Sequence, residues 1–202
     1  MIIDETHFNQ HNIAKLVKGT VVPRPIAWIS SSSRTGIRNL APFSFFTVAS
    51  LDPVLFCISI SPGIDADKVG EKDTLANIRT TGEFVINIVS EQLANQMHES
   101  SKNYEHGIDE FERAGIESKE SKIVQPPCVA KAPVNMECEL KRVIPTGRNH
   151  LVLGELVCFH IQDEVYMEND KVNPHKLQPI GRMATDYTWV RDFFSLPNNE
   201  LN

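Results

Sequence analysis

Several signatures that would assign a function outright are missing from these 202 residues. No two of the four cysteines, Cys57, Cys128, Cys138 and Cys158, have C-x-x-C spacing, which excludes a zinc ribbon and a thioredoxin-type redox motif. H-E-x-x-H is absent. His7 and His11 are four residues apart but have no third ligand near them, and His150 and His160 read as structural or interface residues on one strand-like run, so no metal site is expected. There is no G-x-S-x-G elbow, no P-loop and no G-x-G-x-x-G. A nicotinamide cofactor, if one is used, therefore does not bind on a Rossmann unit. The chain has no basic run of five or six residues, and its net charge is −6 from 20 basic and 26 acidic residues. Such a chain repels a polyphosphate backbone, so nucleic acid is not an expected partner. No apolar run approaches the ~20 residues of a membrane helix. MIIDETHFNQHN lacks the basic-then-apolar order of a signal peptide. A cytoplasmic protein without a membrane partner is expected, its cysteines serving as small hydrophobes in a reducing compartment.

What is present is a succession of short strand-like runs divided by turn residues. A short helix is possible near Asn12–Lys18. Ile26 to Ser30 reads as a strand, Arg34-Thr35-Gly36 as a turn, and Ile37 to Leu40 as the returning strand of a hairpin. Ala41-Pro42 interrupts the ladder before Phe43 to Ser50 resumes it. Val54 to Ile60 is almost continuously apolar and reads as a strand buried on both faces. Asp73 or Thr74 can cap a helix that ends at Gly82, and Ser90 can cap a second through Met97. Glu83 to Val89 is a strand between them. Residues 99–131 are polar and irregular, with one short capped helix over Asp109–Gly115. Val134 to Ile144 alternates, which predicts a strand with Asn135, Glu137, Glu139 and Lys141 facing water. His150 to Ile161 is a long apolar strand with a bulge or bend at Gly154. Residues 166–202 form a tail whose Pro197-Asn198-Asn199-Glu200 end reads as disordered. Six or seven strands with few helices favour a barrel or sandwich over a doubly wound sheet, in one domain.

Three segments could carry chemistry. In Asn39-Leu40-Ala41-Pro42-Phe43-Ser44-Phe45-Phe46 a proline breaks strand-like sequence, and backbone groups near such a break can face a ligand. Small residues at Ala41 and Ser44 would let a flat ring approach, between walls of Phe43, Phe45 and Phe46. The same segment would serve as a bulged strand with its aromatics in the core. Lys72-Asp73-Thr74-Leu75-Ala76-Asn77 places a lysine and a hydroxyl at a helix start, an arrangement suited to an anion. An ordinary cap beside a solvated lysine is the alternative. In Pro179-Ile180-Gly181-Arg182-Met183, followed by Asp186, Tyr187 and Trp189, an arginine could meet a phosphate, or the tail could simply pack on its own barrel or on a partner.

In this order and spacing, Arg24–Ser30, Asn39–Phe46, Asp52-Pro53, Lys72–Ile78 and Gly82–Asn87 resemble the flavin reductase-like domain family, which includes flavoredoxin-type proteins. The likeness covers about residues 18–165. It implies an all-β to α+β fold, a six-stranded antiparallel Greek-key split barrel with a few short peripheral helices, and a homodimer with FMN between subunits. It further implies that Asn39, Leu40, Ala41, Pro42, Ser44 and Phe45 line the isoalloxazine, mostly through backbone atoms and the Ser44 hydroxyl. Lys72, Asp73, Thr74 and Asn77 would lie near the phosphate, with Ser30, Ser31 and Arg182 as weaker members of the site. No acid or base is assigned, because hydride transfer to flavin does not require one from the protein. The resemblance suggests NADH or NADPH as electron donor. A non-enzymatic FMN-containing electron carrier and a flavin-binding protein without redox turnover are the competing readings, and pyridoxamine phosphate oxidases share the architecture.

Overall fold

The computed structural model describes residues 1–65 and 68–196, and for 64, 65, 68 and 69 the backbone alone. The Pro197–Glu200 segment lies outside the described residues. The main sheet has seven antiparallel strands: β1 (Ala27–Ser32), β2 (Arg38–Phe43), β3 (Phe46–Leu51), β4 (Val54–Ile60), β5 (Glu83–Ile88), β6 (Val134–Thr146) and β7 (Asn149–Ile161). Their order is β2-β1-β5-β6-β7-β4-β3. The two edge strands, β2 and β3, are separated only by Ser44 and Phe45, so the chain itself bridges the two edges. Ser59 N–H donates to Phe45 O at 2.8 Å, which carries the pairing across the break. The count of seven, where six was expected, arises because one bent barrel strand is split at that break. The expected interruption at Ala41-Pro42 is not found: the ladder runs through both residues to Phe43, and the break falls at Ser44-Phe45. Pro42 is tolerated because β2 is paired on one side alone, where Pro42 lies opposite Trp28 and need not donate.

The barrel interior holds Ile29, Phe43, Ile58, Phe84, Ile86, Met136 and Val152, all buried. Helix α2 (Asp73–Thr81) plugs one end with Leu75 and Ile78. Gly82 ends that helix at φ 78°, the left-handed conformation a C-terminal glycine adopts freely. The N-cap is Lys72, not Asp73 or Thr74, whose side chains turn to other partners. Gly154 is required by Phe84: a Cβ there would stand 2.2 Å from the ring. The expected irregularity falls beside it. Leu140 pairs with Gly154 and Arg142 with Leu153, leaving Lys141 as the extra residue, and a second register shift follows Glu137.

A second layer covers the outer face of β1 and β2. Trp28, Leu40, Leu93, Met97, Phe111 and Ile180 form its buried cluster, and Trp28 Nε1 donates to Ser100 Oγ at 2.9 Å. Helices α3 (Ala94–Glu99) and α4 (Glu110–Arg113) belong to this layer, Asp109 capping α4 through the N–H groups of Phe111 and Glu112. Ser90 starts a 3-10 turn, Glu91–Leu93, that runs into α3, and its side chain makes no cap hydrogen bond. Helix α1 (Ile13–Thr20) is capped by Asn12.

Two burial expectations fail. Asn135 and Glu137 on β6 are buried, because residues 118–133 fold over that face. Glu137 accepts the N–H groups of Lys122 and Ile123 at 2.7 Å and of Val124 at 3.0 Å, and Asn135 donates to Asn87 Oδ1 at 2.8 Å. Alternation in sequence reports polarity, and here the polar side chains satisfy a covering loop instead of water. Strand β4 buries Phe56, Ile58 and Ile60 but leaves Cys57 and Ser59 half-exposed. Cys128 and Cys138 are buried and Cys57 and Cys158 half-buried, all four as free thiols. No helix among the described residues is long and apolar enough to cross a membrane.

Candidate functional site

Strand β2, the start of α2 and the segment 100–106 enclose a cleft of about 380 Å³. Asn39, Ala41 and Pro42 form one wall, Lys72, Asp73 and Thr74 a second, and Tyr104 and His106 lie across from them. Six of these residues come from the two segments that the sequence marks as a flat bed and an anion site.

Behind the cleft runs a chain of hydrogen-bonded side chains. Asn39 is its centre: Nδ2 donates to Glu110 Oε1 at 2.8 Å, while Oδ1 accepts from Thr74 Oγ1 at 2.6 Å and from Ser31 Oγ at 3.2 Å. Asn77 Nδ2 donates to Ser31 Oγ at 3.2 Å. The other Glu110 oxygen accepts the Leu40 N–H at 3.0 Å. This network fixes β2 against α2 and α4, and it is buried apart from Asn77, which is half-buried. Burial pushes the Glu110 carboxyl up to about 7, aided by the charge of Asp73 and opposed by its hydrogen bonds to Leu40 and Asn39.

The anion-facing side is built differently. The first hydrogen bond within α2 runs from Ala76 N–H to Lys72 O, so the N–H groups before it have no partner inside the helix. The Lys72 ammonium sits 5.5 Å from the centre of the Phe43 ring. Burial lowers its pKa. Asp73 contacts His106 Nδ1, which lines the same cleft, at 2.5 Å.

The remaining residues expected at the site fall elsewhere. Ser30 points through the opposite face of β1, donating to Pro127 O at 2.5 Å. The Leu40 side chain packs in the outer cluster with Trp28. Ser44, Phe45 and Arg182 gather around Arg24. Its Nε donates to Ser44 Oγ at 3.4 Å, its guanidinium stands 5.7 Å from the Phe45 ring centre, and its backbone pairs with Arg182. Arg24 also donates to Lys18 O, Val21 O and Met183 O, at 2.7 to 2.8 Å, tying α1 and the tail to the barrel. The Arg182 guanidinium stacks on Tyr187 at 4.5 Å. Sequence reasoning missed Glu110, Tyr104 and His106, which lie in the stretch read as polar and irregular. The capped turn after Asp109 was visible, but nothing in it points to Asn39, 71 residues away.

A closed antiparallel barrel of six strand paths, one broken at Ser44-Phe45, with an anion-ready helix start at its end, defines a split-barrel protein. Residues 19–175 match the flavin reductase like domain, and the chain belongs to that family. A protein of Aquifex aeolicus is 40% identical over 179 residues, 89% of either chain. Component B of nitrilotriacetate monooxygenase from Bacillus cereus superposes with a TM-score of 0.89 at 30% identity, covering 97% of this chain and 98% of that one. The 2-nitrobenzoate 2-nitroreductase of Pseudomonas fluorescens gives 0.89 at 29% identity, over 100% and 98%.

Proposed function

We propose that this protein is a cytoplasmic flavin reductase-type oxidoreductase that binds FMN in the β2–α2 cleft, at a homodimer interface, and carries electrons from NADH or NADPH to an acceptor. The observation that carries this reading is the meeting, in one cleft, of a half-buried lysine, an open helix start and a wall of small residues at Ala41 and Pro42.

The residues present fit that cofactor. Lys72 and the first N–H groups of α2 supply positive potential for a phosphate. Ala41 and Pro42 offer a flat bed without large side chains, and a cleft of about 380 Å³ is in the size range of ligand pockets. Bound flavin supplies the redox chemistry, accepting a hydride and releasing electrons. The protein's part is to bind, orient and shield. Glu110 holds the Asn39 side chain and the Leu40 amide in place, so the polar edge of the bed is preorganised. Thr74 and Ser31 hold the other face of Asn39, and Asn77 holds Ser31. In this reading Thr74 and Asn77 act on the phosphate site through position, since their side chains are engaged within the network. Ser44, Phe45 and Arg182 contribute from the Arg24 cluster, and Ser30 supports β1 from behind. The similarity to a monooxygenase component and a nitroreductase favours an enzyme over a passive carrier.

Two measurements test this. The purified protein is expected to be yellow, to retain its colour on gel filtration, and to bleach within seconds under NADH or NADPH in the absence of oxygen. Stable colour with neither donor bleaching it would sink the enzyme reading and leave the carrier. Lys72→Ala is expected to weaken FMN binding by about 2 kcal/mol, the scale of a charged hydrogen bond. Unchanged affinity by fluorescence titration would remove the phosphate from this cleft.

A further inference from the structure

None of the residues lining the β2–α2 cleft belongs to a second group of ligand-bearing side chains, which lies where residues 118–133 cross β6 and β7. Cys128 Sγ, a carboxylate oxygen of Glu137 and a ring nitrogen of His160 all lie within 4.8 Å of one another. Cys158 Sγ stands 3.5 Å from His160 Nε2. The placement follows from the sheet. Cys158 and His160 are two apart on β7 and share a face, and Glu137 on β6 pairs directly with Cys158. Cys128 comes from the covering segment. This is the grouping that the sequence concealed, because its members are spread over 33 residues in no familiar spacing.

We propose that Cys128, Glu137, Cys158 and His160 bind one zinc ion that fastens the 118–133 segment to the barrel. Two thiolates, an imidazole and a carboxylate form a donor set that suits tetrahedral zinc and disfavours magnesium or calcium, which prefer oxygen alone. Three of the donors lie mutually within 4.8 Å and Cys158 adjoins them through His160; four protein donors make the closed form of a structural site. Glu137 is already oriented by the amides of Lys122, Ile123 and Val124. Such outer hydrogen bonds aim a ligand and limit its movement. His160 Nε2 now contacts Glu137 Oε1 and would exchange that contact for the metal. As the ion binds, each thiol gives its proton to solvent and its sulfur bonds zinc, with no change of oxidation state. The half-buried Cys158 and His160 leave the site reachable from water, while Cys128 and Glu137 form its buried floor.

The full chain is incubated, reduced, with one equivalent of zinc chloride in excess magnesium, passed over a desalting column, and its zinc counted by elemental analysis. About one zinc per chain is expected, falling to roughly a tenth or less in Cys158→Ser and in His160→Gln. Both positions are half-buried, so both variants are expected to keep the wild-type far-ultraviolet circular dichroism and flavin content. In flavin-free protein, cobalt in place of zinc is expected to give a thiolate-to-cobalt absorption band that Cys158→Ser weakens. Zinc that washes out of the wild type, or that both folded variants retain equally, overturns the proposal.

Discussion

Glu110 shows how one side chain can serve a site and burden the fold at once. Its two oxygens accept from Asn39 and from the Leu40 amide, so the carboxylate is the form the network uses best. Burial still raises its pKa from 4.5 to about 7. Below about pH 4.5 the group is protonated whether the chain is folded or not, and contributes nothing to the difference. Between 4.5 and 7 the unfolded chain releases the proton more readily than the folded one, so stability falls as pH rises through that window and stays lowered above it. The full effect is about 3 kcal/mol at most. Glu110→Gln removes the titration but leaves one acceptor where two are needed, at a pH-independent cost of about 1–2 kcal/mol. The loss of urea stability between pH 5 and pH 8 is therefore expected to be smaller in the variant than in the wild type. Equal losses would show that Glu110 does not titrate in this range. Thr74 carries a similar duty, and its hydroxyl was expected to face an anion because it stands beside Lys72. The fold gives it a nearer acceptor in Asn39 Oδ1.

At the level of elements, the strand junctions were legible where punctuation is chemical. Gly82 announced a helix end and Asp109 a capped turn, because each acts on its own backbone, whereas Pro42 marked an edge strand and the break itself came after Phe43. Long-range partners were not legible. Glu137 alternates with apolar neighbours as a solvent-facing residue would, and only the return of residues 118–133 makes it a buried acceptor of three amides. The same limit hid Glu110 from the Asn39 segment. Gly154 lies between these cases. A glycine in an apolar strand signals a close approach, but the partner, Phe84, is set by the register of β5, β6 and β7. A methyl at 154 would meet the Phe84 ring inside van der Waals distance, so Gly154→Ala is expected to cost about 1–3 kcal/mol. Phe84→Leu in the same chain should recover part of that loss. A double-mutant cycle on thermal unfolding would read the coupling, and strict additivity would mean that the two residues do not meet.

On the scale of the whole molecule, the barrel leaves apolar surface exposed among the described residues. On β3 the side chains of Val48 and Leu51 are 52% and 79% exposed, and Phe45, at the break that closes the barrel, is 42% exposed. Clustered apolar side chains of this kind mark interaction surfaces more often than free ones. Phe45 and Ser44 follow directly on the β2 wall of the cleft, so a second copy seated over β3 would also shelter whatever the cleft holds. This gives the proposed homodimer a consequence that the cleft residues do not share. Val48→Arg with Leu51→Arg places two charges where a partner would desolvate them, a cost of at least about 2 kcal/mol for an interface centre. Light scattering is expected to show a mass of two chains for the wild type and one for the double variant. Flavin absorbance is expected to fall along with the mass, although neither residue lines the cleft. If the variant stays dimeric, β3 is not the interface. If it becomes monomeric and keeps all its flavin, a single chain suffices to hold the cofactor, and the site does not need its partner.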